Sequence, residues 1–279
     1  MSFGPKPWIQ LHWDWRAAGN FMFGGAGSGL LLAAALVLPL GPAWAVSLPL
    51  GLALVALGLL CVWLEIGRPL RALHVFFNPW TSWMTREAFA GVALFVAAFA
   101  AFFRPGTATV TALGLCALVF AWCQAWILKA SKGIPAWREP KLVAFILATA
   151  LTEGAALAVL LALAYSRQDK LVYGLLAAAL VARALAWSMY VDATAPKLTG
   201  APRAALEAVT PRILWFGTFG SLALVAAASA LPQPYALPLA GIGALIAIAT
   251  GWHAKHTIVT RASLNQGFAL PVLPVRGAR

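Results

Sequence analysis

Two short stretches of the chain gather hydrogen-bonding and titratable side chains against long apolar runs. The first is His12-Trp13-Asp14-Trp15-Arg16 with Asn20, followed by the small-residue run Gly24-Gly25-Ala26-Gly27-Ser28-Gly29. The second runs from Glu65 through Arg68, Arg71 and His74 to Trp83, Arg86 and Glu87. Arginine, histidine and asparagine hydrogen-bond the oxygens of a polar head group, and a carboxylate at the edge of an apolar helix can exchange a proton with it. Each stretch also has a plainer account. The first then is an interfacial aromatic belt running into a helix-packing face. In the second, Glu65 and Glu87 simply pair with the neighbouring arginines at the membrane surface. The glycines do not form a dinucleotide-binding turn, because no strand precedes them.

A third set lies deeper. Glu153 interrupts the apolar stretch Thr149–Gly154, and Arg183 sits within Val181–Ala184. Charged groups inside a membrane are costly unless paired, so the two are candidates for a buried ion pair, structural or part of a proton path. Gln124 and Asp192 are weaker candidates of the same kind. No metal site is expected. The four histidines, His12, His74, His253 and His256, do not fall in mid-span on facing helices, as a haem would require. The cysteines Cys61, Cys116 and Cys123 lack the spacing of a cluster or a redox pair and read as packing residues.

These residues need a scaffold, and composition names its class. Of 279 residues 62% are hydrophobic and 10% charged, against roughly 25% charged in soluble domains. The apolar residues come in runs of about 20, long enough to cross the hydrocarbon layer as helices. Spans are expected at about 20–40, 44–64, 88–103, 107–128, 142–165, 171–191, 213–231 and 236–253. The expected fold is thus all-α, a single integral membrane domain over 1–279 with eight transmembrane helices in two four-helix bundles. The N-terminus lacks the basic-then-apolar pattern of a cleavable signal peptide. There is no strong internal repeat.

The charge is +12 with a pI near 10.4, yet the basic residues sit between apolar runs rather than in one stripe. They read as topology signals, and nucleic acid is not an expected partner. Sixteen of the 20 Lys and Arg residues fall on the side that holds both termini; Arg104, Arg167 and Lys170 fall on the other, and Arg183 within a helix. By the positive-inside rule both termini are cytoplasmic.

Three segments, WDWRAAGNFMFGGAGSG, EIGRPLRALHVFFNPWTSWMTRE and NQGFALPVLPVRG, resemble the NrfD/polysulfide-reductase and dimethyl-sulfoxide-reductase (DmsC-type) membrane anchors. The resemblance spans most of the chain in layout. It implies eight transmembrane helices in a bacterial cytoplasmic (inner) membrane. It further implies a ferredoxin-like partner subunit carrying [4Fe-4S] clusters and a catalytic partner carrying molybdenum bis-pterin. The anchor would exchange electrons with ubiquinone or menaquinone and hold no haem or iron–sulfur cluster itself. In the sulfoxide-reductase branch a histidine before a Gly-x-Pro stretch and a glutamate opening the third helix are associated with quinol; Glu87 matches the glutamate, and Glu65 stands at the histidine position.

On this reading the quinone-binding residues are His12, Asp14, Arg16, Asn20, Glu65, Arg68, Arg71, His74, Trp83 and Glu87. Substrate chemistry, for example on sulfite or a coenzyme A thioester such as phenylacetyl-CoA, would occur on the molybdopterin subunit. The rival class is a secondary transporter or channel, which also buries ion pairs but is built on broken helices and midplane polar clusters.

Overall fold

The computed structural model describes residues 6–38, 42–66, 69–166 and 168–267. Eight helices in it are long and apolar enough to span a membrane, and the chain is a multi-pass membrane protein. They are α1 (Trp15–Val37), α2 (Pro42–Glu65), α3 (Trp83–Phe103), α4 (Thr107–Ala130), α5 (Lys141–Ala164), α6 (Lys170–Thr194), α7 (Ala201–Ala230) and α8 (Gln233–Thr260). Outward-facing Phe99, Phe103, Leu115, Val119, Leu185 and Trp215 are exposed. Lipid, not water, suits such a surface.

The helices group by fours. In one group α1 packs on α2 and α4, and α3 on α4; in the other α5 packs on α6 and α8, and α7 on α8. The groups meet where α1 crosses α5. That crossing is close because Gly29 and Gly154 face each other there: a Cβ on either would collide with the backbone of the opposite helix. Small residues at a helix crossing let backbones approach and replace hydrophobic driving force with contact.

Two helices are locally widened into π-helical turns, at Asn20–Gly24 in α1 and Arg212–Gly220 in α7. In α7 the widening follows Pro211, whose nitrogen has no hydrogen to give the preceding turn. Such turns are often functional, because they free backbone carbonyls from the helical ladder.

Several boundaries differ from the expected spans, and α1 starts at Trp15 rather than near 20. α3 starts at Trp83 rather than near 88, because Ser82 caps it by accepting a hydrogen bond from the Thr85 N–H at 3.3 Å. Glu87 therefore lies inside the helix. α7 begins with an amphipathic stretch from Ala201, and α8 continues to Thr260, well past 253. Between α2 and α3 a 3-10 helix, Pro69–Phe77, presents Leu70, Leu73 and Phe77 outward. The two ends of the described residues come together where β1 (Trp8–Ile9) pairs antiparallel with β2 (Leu264–Asn265).

Candidate functional site

The buried carboxylate Glu87 organises the first group of helices. It is 4% exposed and reaches from α3 towards α1 and α4. Asn20 Nδ2 donates to its Oε1 at 3.1 Å, and Gln124 Nε2 approaches the same oxygen at 3.3 Å. Gln124 Nε2 also donates to the Asn20 carbonyl at 2.9 Å, one of the carbonyls in the widened turn of α1. No basic side chain pairs with Glu87 among the described residues; its neighbours in this network are neutral amides. The account in which it simply pairs with the arginines nearby is therefore set aside. Arg86 instead donates to the carbonyls of Pro79 and Trp80 and shapes the loop entering α3.

A cavity of about 460 Å³ opens over Glu87, lined by His12, Arg16, Asn20, Phe21, Glu65 and Glu87 among others. Next to it lies an apolar groove of about 900 Å³ between α2 and α3, under the 3-10 helix, lined by Leu59, Trp63, Leu73, Phe76, Gly91 and Phe95 among others. Four residues line both spaces: Val62, Ile66, Met84 and Glu87. A cavity of mixed polar and apolar lining and an apolar groove thus meet at the buried carboxylate. A molecule with a hydrogen-bonding head and a hydrocarbon tail fits that pair of spaces; a wholly polar solute uses only the first.

Of the residues picked from the sequence, His12, Arg16, Asn20, Glu65 and Glu87 converge on this cavity. Asp14 does not line it. Its carboxylate caps α1, accepting from the Arg16 N–H at 2.8 Å, and makes a 2.9 Å ion pair with the Arg16 guanidinium. That hydrogen-bonded guanidinium holds the Asp14 carboxyl below the usual carboxylate range. Arg71 and His74 lie exposed on the 3-10 helix, with the His74 ring edge-on to Phe77. Trp83 stacks on Trp126 at 4.9 Å, and the pair is flanked by Arg86 at 4.2 Å and Lys129 at 3.7 Å. This ladder ties α3 to α4 and does not line the cavity. Arg68 lies outside the described residues.

The second group has its own buried charges, and here one expectation is corrected. Glu153 does not pair with Arg183. Its Oε2 takes a 2.7 Å bond from Lys255 of α8, and both side chains are 0% exposed. Arg183 is spent on backbone: its guanidinium donates to the Ala247 carbonyl at 2.6 Å and to the Gly217 carbonyl, in the widened turn of α7, at 2.7 Å. Sequence spacing places Lys255 in a segment beyond α8, whereas the helix carries on through it and buries it. Asp192 is exposed, whereas Gln124 proves to be part of the Glu87 network. The histidines of α8 face other polar groups: His253 Nε2 is 3.0 Å from Arg212, and His256 approaches Thr260.

Sequence reasoning missed Lys255 outright. The available signal was the apolar pair Ile258-Val259 shortly after it, which lets the helix continue beyond the charge. In comparison with known proteins, no family model matches the chain, and no curated protein matches it.

Proposed function

We propose that the chain is the quinone-reactive membrane anchor of a multisubunit oxidoreductase, of the kind its sequence resembles, with a ferredoxin-like iron–sulfur subunit and a molybdopterin subunit as partners. The observation that carries this reading is the meeting at Glu87 of an apolar groove and a cavity whose lining includes His12, Arg16, Asn20 and Glu65. A quinone has this shape, with two carbonyl oxygens on a ring and an isoprenoid tail.

Reduction of a quinone to a quinol takes two electrons and two protons. The electrons are exchanged with the docked iron–sulfur subunit. Asn20, Arg16 and His12 supply N–H donors for the ring oxygens, and Glu87, held by two amides and otherwise facing the cavity, takes or gives the two protons one after the other. Glu65, half-buried at the end of α2, is placed to pass protons between that carboxylate and solvent. Quinol oxidation runs the same steps in reverse. The termini and the cavity face the cytoplasm, as the distribution of Lys and Arg indicates. A C-terminal reporter that is active on the opposite side overturns that orientation.

Replacing Glu87 tests the reading. In the assembled complex Glu87→Gln is expected to lower electron exchange with quinone about 10²-fold, the loss typical of one general acid–base group. Exchange with an artificial dye, which meets the partner subunits directly, stays at the wild-type rate. Full quinone activity in the variant sinks the reading, as does a quinone-independent transport activity that Glu87→Gln abolishes.

A further inference from the structure

The two buried carboxylates belong to different helix groups, yet their networks hold the same turn of α1. Gln124, from the first group, donates to the Asn20 carbonyl at 2.9 Å. Lys255, from the second group, donates to the carbonyl of the next residue, Phe21, at 2.7 Å. Both carbonyls lie in the widened segment Asn20–Gly24, where the helix does not use them as an α-helix would. The side chains on that turn are the ones that matter to the cavity: the Asn20 amide faces Glu87, and the Phe21 ring forms part of the wall.

Lys255 reaches the turn only because two conditions hold. Glu153 neutralises it at 2.7 Å in a site sealed from solvent. Gly25 leaves the room, since a Cβ there would stand 2.5 Å from the Lys255 ammonium and 3.4 Å from Gln124 Oε1. Gly24 does the same for Gln124, whose Nε2 would lie 2.5 Å from a Cβ at that position. The paired glycines thus admit one donor from each helix group to consecutive carbonyls.

We propose that Lys255 is a positioning residue for the head-group cavity: anchored by Glu153, it pins the Phe21 carbonyl and so fixes the Asn20 amide against Glu87. The inference rests on the quinone reading of the cavity. It gives the second helix group a part in the site although, among the described residues, neither Lys255 nor Glu153 lines the cavity. A misplacement on the order of 1 Å near a reacting group is enough to cost up to about 10²-fold in rate.

The test uses the assembled complex in membranes and two neutral replacements of the pair. Lys255→Met with Glu153→Leu removes both charges and the N–H donor; Lys255→Gln with Glu153→Gln removes both charges but keeps an N–H for the Phe21 carbonyl. The first is expected to lower kcat/KM for quinone about 10- to 100-fold, with dye activity intact. The second is expected to recover most of that loss. In an Asn20→Ala background the two pairs should become equal, because the group being positioned is gone. Gly25→Ala, which keeps every charge but displaces the ammonium, should reproduce the first phenotype and covers the case in which the Met/Leu pair does not assemble.

Full quinone activity in the Met/Leu pair or in Gly25→Ala overturns the proposal, as do equal losses in both pairs or additive losses with Asn20→Ala. Glu87→Gln in parallel separates the two levels. If it is impaired and the Lys255 variants are not, only the positioning role falls. If it is fully active, the quinone reading falls.

Discussion

The two helix groups each bury one carboxylate in apolar surroundings, and they treat it in opposite ways. Around Glu87 the neighbours are neutral amides, and one side is open to a cavity. Around Glu153 a lysine supplies the countercharge, and both side chains are wholly buried. The ammonium at 2.7 Å supplies Glu153 with a countercharge in a site closed to solvent. The amides around Glu87 donate N–H bonds without supplying a countercharge, and the cavity opens over it. A carboxylate that exchanges protons needs access to a proton donor or acceptor, whereas a sealed pair resists the loss of either partner because the other is left buried and uncompensated.

The sharpest way to break this comparison is to remove one countercharge and ask about stability. Lys255→Met leaves Glu153 buried without a partner, and breaking a buried pair costs about 3–5 kcal/mol. Detergent-solubilised protein carrying it should unfold at a markedly lower temperature, and Glu153→Leu added to it should restore much of the loss. Glu87→Gln, by contrast, replaces a group that already sits among amides with another amide of the same shape. Its unfolding temperature should lie close to that of the unaltered chain. Equal destabilisation by Lys255→Met and Glu87→Gln would erase the distinction between a sealed, countercharged carboxylate and one open to a cavity.

Eight spans were legible because hydropathy over 20 residues is a local property, and the aromatic and small-residue character of α1 was equally local. Short-range chemistry carried some of the site too. His12, Arg16, Asn20, Glu65 and Glu87 sit at or near helix ends and converge on the cavity because α1, α2 and α3 bring those ends together. What failed was long-range. The partner of Glu153 lies 102 residues away on α8, whereas sequence order favoured Arg183 on the adjoining helix. α5 packs against both α6 and α8, and nothing in either segment alone says which one carries the countercharge. Trp83 illustrates the converse case. Its place beside Glu87 suggested a ligand contact, but its ring turns towards α4, where Trp126 stacks on it. The widened turns left no readable signal in α1 beyond its glycines, whereas in α7 Pro211 marks one.

The smallest expected effect is at the surface of the first group, where a third carboxylate shows what water does to the same chemistry. Asp14 is paired with Arg16 and caps α1, but its side chain is 37% exposed. Its folded value lies below 3.8, the ordinary value of the group, chiefly through the hydrogen bond from Arg16. A carboxylate with a depressed value adds stability above its unfolded value, and that contribution is lost as the pH falls through the folded one. The window is therefore below about pH 4, and exposure limits its size. Asp14→Asn keeps an oxygen to accept the Arg16 N–H and removes only the charge, so at about pH 7 it should cost no more than about 0.5 kcal/mol, the range of exposed pairs. Asp14→Ala loses the cap as well and should cost about 1 kcal/mol. Thermal unfolding of the unaltered protein and both variants at about pH 7 and about pH 3.5 measures this. The gap between the unaltered protein and Asp14→Asn should narrow at the lower pH. A loss of several kcal/mol from Asp14→Asn would instead mean that Asp14 is coupled to the cavity that Glu65 and Glu87 line.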